Sequence, residues 1–353
     1  MSNILSQSND PYLTTDENRR IKWDSGNYYR DLWQWDFNPV LGYQCKTYDS
    51  NGIYQPQYLD PPCTGSDIGV SMAWEVTKGN GVIVAVADSG CDPNHPDLNF
   101  QIVGGQSVNG LSAWNTDTNG HGTRVASAVA AKGNNSIGVV GVAPEASLFI
   151  IKCAYHSIDV PPIVEAAITA SASIIVMSWG FSDNNEEARQ ALIKAYQHGI
   201  IVVCAAFNSP IDEGSQPDYP IQWQLPNVVG VTNNAMEDAP YWSATSSTLL
   251  HLYAPGRLIV VTNPNNTDYV YSSGTSFSTP KVAGALALIQ SAFPQLTVIE
   301  RIDKLLAAVD RLPQYAGKTI TGGRLNVGWA VKGPEMTITQ IKYPTHIPDN
   351  DNL

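Results

Sequence analysis

Three side chains stand where the local pattern leaves them room to react. Asp88 ends the apolar run GVIVAVA and precedes Ser89-Gly90, so a carboxylate sits at the carboxyl end of a buried strand and glycine permits the turn. Taken alone, that position suits a cap or turn residue as well as a catalyst. His121 lies in NGHGTRVASAVAA, between Gly120 and Gly122, with Asp117 and Asn119 just before it. Glycine neighbours offer no side chains to pack against, so this histidine is not a packed core residue; a surface-loop histidine is the other reading. Ser276 opens SFSTPKVAGALALIQSAF behind Gly274 and Thr275. Amides at a helix start point at whatever the hydroxyl attacks, and the helix dipole there favours negative charge. A serine serving only as an N-cap would not need the preceding glycine. A carboxylate, an imidazole and a hydroxyl are the groups from which an activated nucleophile is assembled.

Such groups need a rigid frame, and the chain supplies one from residue 65 onward. Short β-branched runs at 81–87, 147–152, 173–178, 199–206 and 227–232 are apolar enough to be buried on both faces. Between them lie the helical stretches HGTRVASAVAA, PPIVEAAITASA and EEARQALIKAYQH, the last stopped by Gly199, and then residues 276–293 and 298–309. This alternation predicts an α/β fold, a doubly wound parallel sheet flanked by helices, with its site beyond the carboxyl ends of the strands. Residues 61–332 form that domain. Residues 1–60, aromatic and polar without a regular period, read as an irregular extension laid on its surface by Trp and Tyr rings. Residues 333–353 read as a frayed tail.

Composition excludes other classes. The 353 residues are 43 % hydrophobic, so most of the chain has a core to bury. A net charge of −12 without a basic run argues against nucleic-acid binding, and no stretch of 18 apolar residues spans a membrane. The start MSNILSQSNDPY shows no secretory signal, which leaves a cytosolic protein or a mature form. The five cysteines form no CxxC and pair with no nearby histidine, so zinc is not expected. Cys153 and Cys204 lie in apolar runs and read as buried thiols. Cys45 and Cys63, in polar Pro-rich surroundings, are either a disulfide or two free surface thiols. A Rossmann dinucleotide enzyme, suggested by the alternation alone, falls away because no GxGxxG follows the first strand.

Together the three motifs resemble the subtilisin-like serine proteases, the subtilases, which use an Asp, His, Ser order along the chain. The resemblance covers about residues 65–332. VAVADSGCDPNHPDL is similar to the family's aspartate motif, NGHGTRVAS to its histidine motif, SGTSFSTPKVAG to its serine motif, IGVVGVAPEASL to the segment after the histidine helix and GGRLNVGWAV to its closing motif. It implies a serine endopeptidase in which Ser276 attacks the peptide carbonyl, His121 moves the proton and Asp88 orients the imidazole. It also implies an oxyanion site made by the Ser276 N–H and the side chain of Asn208. The chain departs from the pattern at Phe207, where glycine is usual, so Phe207 is expected to narrow the adjoining pocket or to shift Asn208. It departs again at Phe277-Ser278 and Lys281, where small effects are expected.

The resemblance extends to substrate and metal. Ser178, Trp179 and Gly180 correspond to the edge that pairs with the substrate strand by β-augmentation, and Ser-Trp-Gly is closer to the kexin/furin branch, as is Asn9-Asp10-Pro11-Tyr12. Asp183 and Asp218 fall where the primary specificity pocket belongs, and a carboxylate there selects Arg or Lys; two solvated loop carboxylates are the other reading. Arg19-Arg20 then becomes a candidate self-cleavage site. Gly133, Asn135, Ile137 and Val139, with Asp97 and an N-terminal side chain such as Asp10, are similar to the family's structural calcium site. Read without the family, that loop is an ordinary Asn/Gly turn. The expected partner is a peptide or protein, the expected state a monomer, and a secreted or periplasmic mature form is favoured over a cytoplasmic one. A maturation protease or a macrocyclising transpeptidase would use the same triad, and a pseudoprotease binding module is the alternative of a different class.

Overall fold

Runs of β-branched residues with no polar alternation need cover on both faces, and the sheet is built that way. The computed structural model describes residues 67–235, 238–264 and 269–333, with four short strands ahead of them. Those four pair as two antiparallel ladders, β1 (Arg20–Lys22) with β2 (Tyr28–Arg30) and β3 (Lys46–Tyr48) with β4 (Tyr54–Pro56). The rest of the extension and the tail lie outside the described residues, and with them Asp10, Arg19, Cys45 and Cys63.

Among the described residues, a nine-stranded sheet runs in the order β14-β15-β11-β10-β9-β8-β5-β7-β6. Third from one edge is β5 (Ile83–Asp88), flanked in parallel by β7 (Ser147–Lys152) and β8 (Ile174–Met177). Beyond β8 lie β9 (Ile201–Ala205), β10 (Val228–Asn234) and β11 (Leu252–Pro255), all parallel; beyond β7 lies β6 (Ile102–Ser107). A short antiparallel pairing of β14 (Asp310–Arg311) with β15 (Gly323–Arg324) closes the far edge. A separate antiparallel pair joins β12 (Ile259–Thr262) to β13 (Tyr269–Ser272).

Alternate residues of β5 divide the core. Val84 and Val86 face a layer that holds α2 (His121–Ala130), α5 (Thr275–Ala292), α6 (Val298–Ala307), α1 (Val70–Trp74) and α7 (Val327–Lys332). Ala85 and Ala87 face the opposite layer, with α3 (Val160–Thr169) and α4 (Glu186–Gln197). Helix α5 is buried almost from end to end, which suits its lack of a polar stripe. A serine in its first turn is therefore held by a deeply buried element of the domain.

From β5 the chain runs out to the edge strand β6, returns to β7 between the two, then crosses β5 to continue on the other side with β8. Strand order thus reverses between β5 and β8. Ligands of open α/β sheets bind at the carboxyl ends of strands beside such a switch point. Asp88 ends β5, and Ser178 follows the last residue of β8.

Candidate active site

Asp88 is fully buried, and one of its oxygens collects three donors. Oδ1 accepts from the Ser89 N–H at 2.8 Å, from the Tyr155 hydroxyl at 2.7 Å, and lies 2.8 Å from His121 Nδ1. The other oxygen is buried without a hydrogen-bond partner among the described residues. An anion held this way fixes the imidazole tautomer with Nδ1 protonated and leaves Nε2 as the base. Burial pulls the His121 pKa down, but the charge and hydrogen bond of Asp88, aided by Asp117, outweigh it and raise the group above 6.5.

His121 is placed by Asp117, a buried carboxylate. Its Oδ1 accepts from Ser89 Oγ and the Gly120 N–H, each at 2.8 Å, and its Oδ2 from Thr123 N–H and Oγ at 2.9 and 2.6 Å. Ser89 Oγ accepts in turn from the Gly122 N–H at 2.9 Å. One acid thus ties the turn after β5 to the first turn of α2, where free amides favour an anion.

Ser276 is the second residue of α5, and Pro280 lies four residues beyond it. Proline has no N–H, so the carbonyl of Ser276 loses its helical donor. Ser178 Oγ fills the gap, donating to that carbonyl at 3.0 Å, while Ser276 Oγ donates to the carbonyl of Ser178 at 3.1 Å. Among the described residues no hydrogen bond joins Ser276 to His121 in this arrangement; catalytic bonds of that kind commonly form only with substrate. Phe277 lies against the imidazole, ring centroids 5.7 Å apart.

Asn208 follows β9 and faces the same point. Its Oδ1 accepts from the Thr275 N–H at 2.9 Å and from Thr275 Oγ at 3.1 Å, which leaves the Nδ2 group as its donor. Gly274, at φ 137°, lets this amide approach: a Cβ there would stand 3.0 Å from Asn208 Oδ1. Phe207 occupies the usual glycine position without strain, since its φ is not positive. It lines the cleft, and Asn208 keeps its hold on Thr275.

A cleft of about 400 Å³ opens beside Ser276, lined by residues 178–182 and 205–208 and by Asp218. Ser178, Trp179 and Gly180 all face it. Asp218 is buried, and a Cβ at Gly180 would collide with its Oδ1, so that glycine makes its room. Glu213, fully buried, backs it. Burial first, then the neighbouring Glu213, push Asp218 up to about 9, and burial raises Glu213 too. The structure does not bring Asp183 to the cleft. Its carboxylate is exposed and accepts from Ser157 Oγ, ahead of the α4 cap Asn185. The aromatic wall continues outward, Phe181 and Tyr219 exchanging backbone hydrogen bonds at 3.0 and 2.8 Å.

The loop after α2 wraps Asp97. Asn135 Nδ2 donates to Asp97 Oδ1 at 2.8 Å, the Val139 N–H donates to Oδ2 at 2.8 Å, and the Ile137 N–H donates to Asn135 Oδ1 at 3.2 Å. Asp97 and Asn135 carry the oxygen atoms that calcium prefers, and Gly138 is needed beside them because a Cβ there would collide with the Tyr269 hydroxyl and Asp97 Oδ2. As arranged, however, Asn135 and Val139 meet Asp97 through nitrogen. A half-turn of the Asn135 amide would bring its oxygen, in place of its nitrogen, toward Asp97, as a calcium shell would require. Among the described residues no cluster of three or more His, Cys, Asp or Glu offers another metal site.

Asp117, Tyr155, Glu213, Thr275 and Pro280 carry parts of this site that motif reading does not single out. Asp117 had a signal, an acid shortly before a helix start. The others act on partners distant in sequence, such as Asp88 for Tyr155, and leave no local mark. Cys153 and Cys204 are buried free thiols as expected, and Cys91 joins them among the described residues.

A strand-end acid bonded to a histidine, with a serine at the head of a buried helix, defines a serine hydrolase on a doubly wound sheet. The model of the subtilase family matches residues 79–317, and the chain belongs to that family. Subtilisin DY of Bacillus licheniformis is 38 % identical over 259 residues, 71 % of this chain and 90 % of that protein. Thermitase of Thermoactinomyces vulgaris is 32 % identical over 249 residues, 69 % of this chain and 84 % of that one. Among solved structures, a protease from Pseudoalteromonas arctica PAMC 21717 aligns over 75 % of this chain and 93 % of its own, with a TM-score of 0.65 and 28 % identity. The protein is a subtilisin-like serine endopeptidase, a hydrolase.

Proposed function

We propose that peptide-bond cleavage runs through Ser276, His121 and Asp88. The observation that carries this reading is the 2.8 Å contact of His121 Nδ1 with a buried carboxylate at the end of β5. The Ser276 hydroxyl turns from the Ser178 carbonyl to His121 Nε2, gives up its proton and attacks the scissile carbonyl. The imidazolium, steadied by Asp88, protonates the leaving amine, and water repeats the sequence on the acyl-enzyme. The tetrahedral oxygen is received by the Ser276 N–H, free at a helix start, and by Asn208 Nδ2.

The pocket reading is that Asp218, backed by Glu213, favours Arg or Lys before the scissile bond. An incoming guanidinium meets Asp218, with Glu213 behind it, and its charge favours the ionised carboxylate, whose proton leaves to solvent. The chain's charge of −12 adds a general attraction for basic peptides. Calcium, held by Asp97, Asn135 and the carbonyls of Gly133, Ile137 and Val139, would clamp the loop after α2 and so stabilise the fold.

A fluorogenic peptide series differing only in the residue before the scissile bond tests both parts. Cleavage after Arg or Lys that vanishes in Ser276→Ala is the expected result. Cleavage after large apolar residues alone would remove the role of Asp218 and leave the triad.

A further inference from the structure

The oxygen of Asp88 that meets His121 also accepts from Tyr155, and nothing in the triad mechanism above uses that phenol. Three donors converge on Asp88 Oδ1, at 2.7 to 2.8 Å, and Oδ2 has none among the described residues. The carboxylate's rotation is therefore set by the backbone N–H of its neighbour, the imidazole and this hydroxyl. Tyr155 is the only one of the three that a side-chain change can remove without touching the triad.

The segment bearing it is built to hold it there. Tyr155 has φ 67°, a left-handed conformation that a bulky residue keeps only where its surroundings fix it. They do. The flanking N–H groups of Ala154 and His156 both donate to Asp159 Oδ2, at 2.9 and 3.1 Å, and Asp159 is itself buried. The ring stands edge-on to His121 with centroids 6.4 Å apart, and against Trp179 at 5.6 Å. Burial, then the charge of Asp88, push the phenol far above its usual range, so it remains a donor at every working pH.

We infer that Tyr155 is a positioning residue of the triad: its hydroxyl holds the Asp88 carboxylate in register with His121 and draws off part of its charge. This rests on the triad reading. A carboxylate with one more donor is a weaker anion, so it stabilises the imidazolium less and keeps His121 less basic. Removing the hydroxyl has a definite sign. Asp88 regains charge, the imidazolium is held more tightly, and the pH at which His121 becomes a free base moves up. The other charged or titratable groups facing this set are Asp117 and Arg124 on the histidine side and Cys153 and Asp159 beside the tyrosine. A Tyr155→Phe change leaves all four in place.

The test is the pH profile of kcat/KM for Tyr155→Phe, which keeps the ring contacts, beside wild type and Ser276→Ala. The expected result is a fall of about tenfold in kcat with KM changed less than about twofold, and an acidic limb displaced upward by about half a pH unit. An acidic limb that stays in place or moves down overturns the inference. Difluorotyrosine at position 155 is the second variant. A stronger donor should move the limb down, and an unmoved limb again overturns it. If Ser276→Ala keeps wild-type activity, the triad reading fails instead, independently of the tyrosine.

Discussion

Ser178 and Ser276 exchange hydrogen bonds, each hydroxyl donating to the other's carbonyl, at 3.0 and 3.1 Å. The exchange exists because Pro280 withdraws the helical donor that the Ser276 carbonyl would otherwise have. A defect in the helix that carries the proposed nucleophile thus joins it to the segment at the end of β8 that lines the cleft.

This relationship can be measured as a coupling. Ser178→Ala leaves the Ser276 carbonyl unsatisfied and should cost about 1 to 3 kcal/mol of stability. In a Pro280→Ala background the restored N–H takes that carbonyl, and the same Ser178→Ala change should cost much less. Urea unfolding of the four proteins gives the interaction energy directly. Equal costs in both backgrounds would show that the two residues do not share the carbonyl.

The acid pair makes selectivity depend on pH with a fixed sign. Burial and the neighbouring Glu213 push Asp218 up to about 9, so below that pH its carboxyl is held protonated and an entering cation must displace a proton to solvent. The preference for Arg over norleucine before the scissile bond should therefore rise between pH 7 and 9, and Asp218→Asn should flatten it. Stability runs the opposite way. An acid whose folded pKa lies above its unfolded value of 3.8 destabilises the fold progressively as pH rises through that interval. Asp218→Asn should accordingly raise the melting temperature at pH 8 and change it little at pH 3.

Gly180 is required for space. A methyl group there would collide with Asp218 Oδ1, against the pocket wall. Gly180→Ala should lower kcat/KM by more than about tenfold for peptides with a large residue before the scissile bond, and by less for alanine there. A uniform loss across the series would place the damage in the triad instead of the pocket.

For the calcium proposal, melting temperature with millimolar calcium against chelator is the readout. The expected gain is several degrees, following the mass-action stabilisation of a ligand bound only by the folded state. Asp97→Asn should abolish that gain, and an equal melting point with and without calcium in wild type would remove the site.

Much of the fold was legible in the chain, for a physical reason. Strands such as β8 and β9 are buried at every position, so their apolar runs need no partner to be recognised. β6, with Gly104-Gly105 in a half-exposed edge strand, carries no such run and is found only by its pairing with β7. At the site, Asp88, His121 and Ser276 each sit at a junction of elements, where sequence pattern changes abruptly. Asp183 and Asp218 look alike as loop acids. What separates them is the pairing of Phe181 with Tyr219, which draws Asp218 under Gly180 and leaves Asp183 outside. Glu213 stands among the acids of IDEGSQPD, and no local pattern tells which of them is buried.

That Ser276 is the nucleophile and His121 its base is tested most directly by covalent labelling. The protein would be treated with a fluorophosphonate and the adduct located by mass spectrometry, in wild type, His121→Ala and Asp218→Asn. The expected result is a single adduct on Ser276 that is lost in His121→Ala and retained in Asp218→Asn. Labelling at another residue, or labelling of Ser276 that proceeds at the wild-type rate without His121, would contradict it.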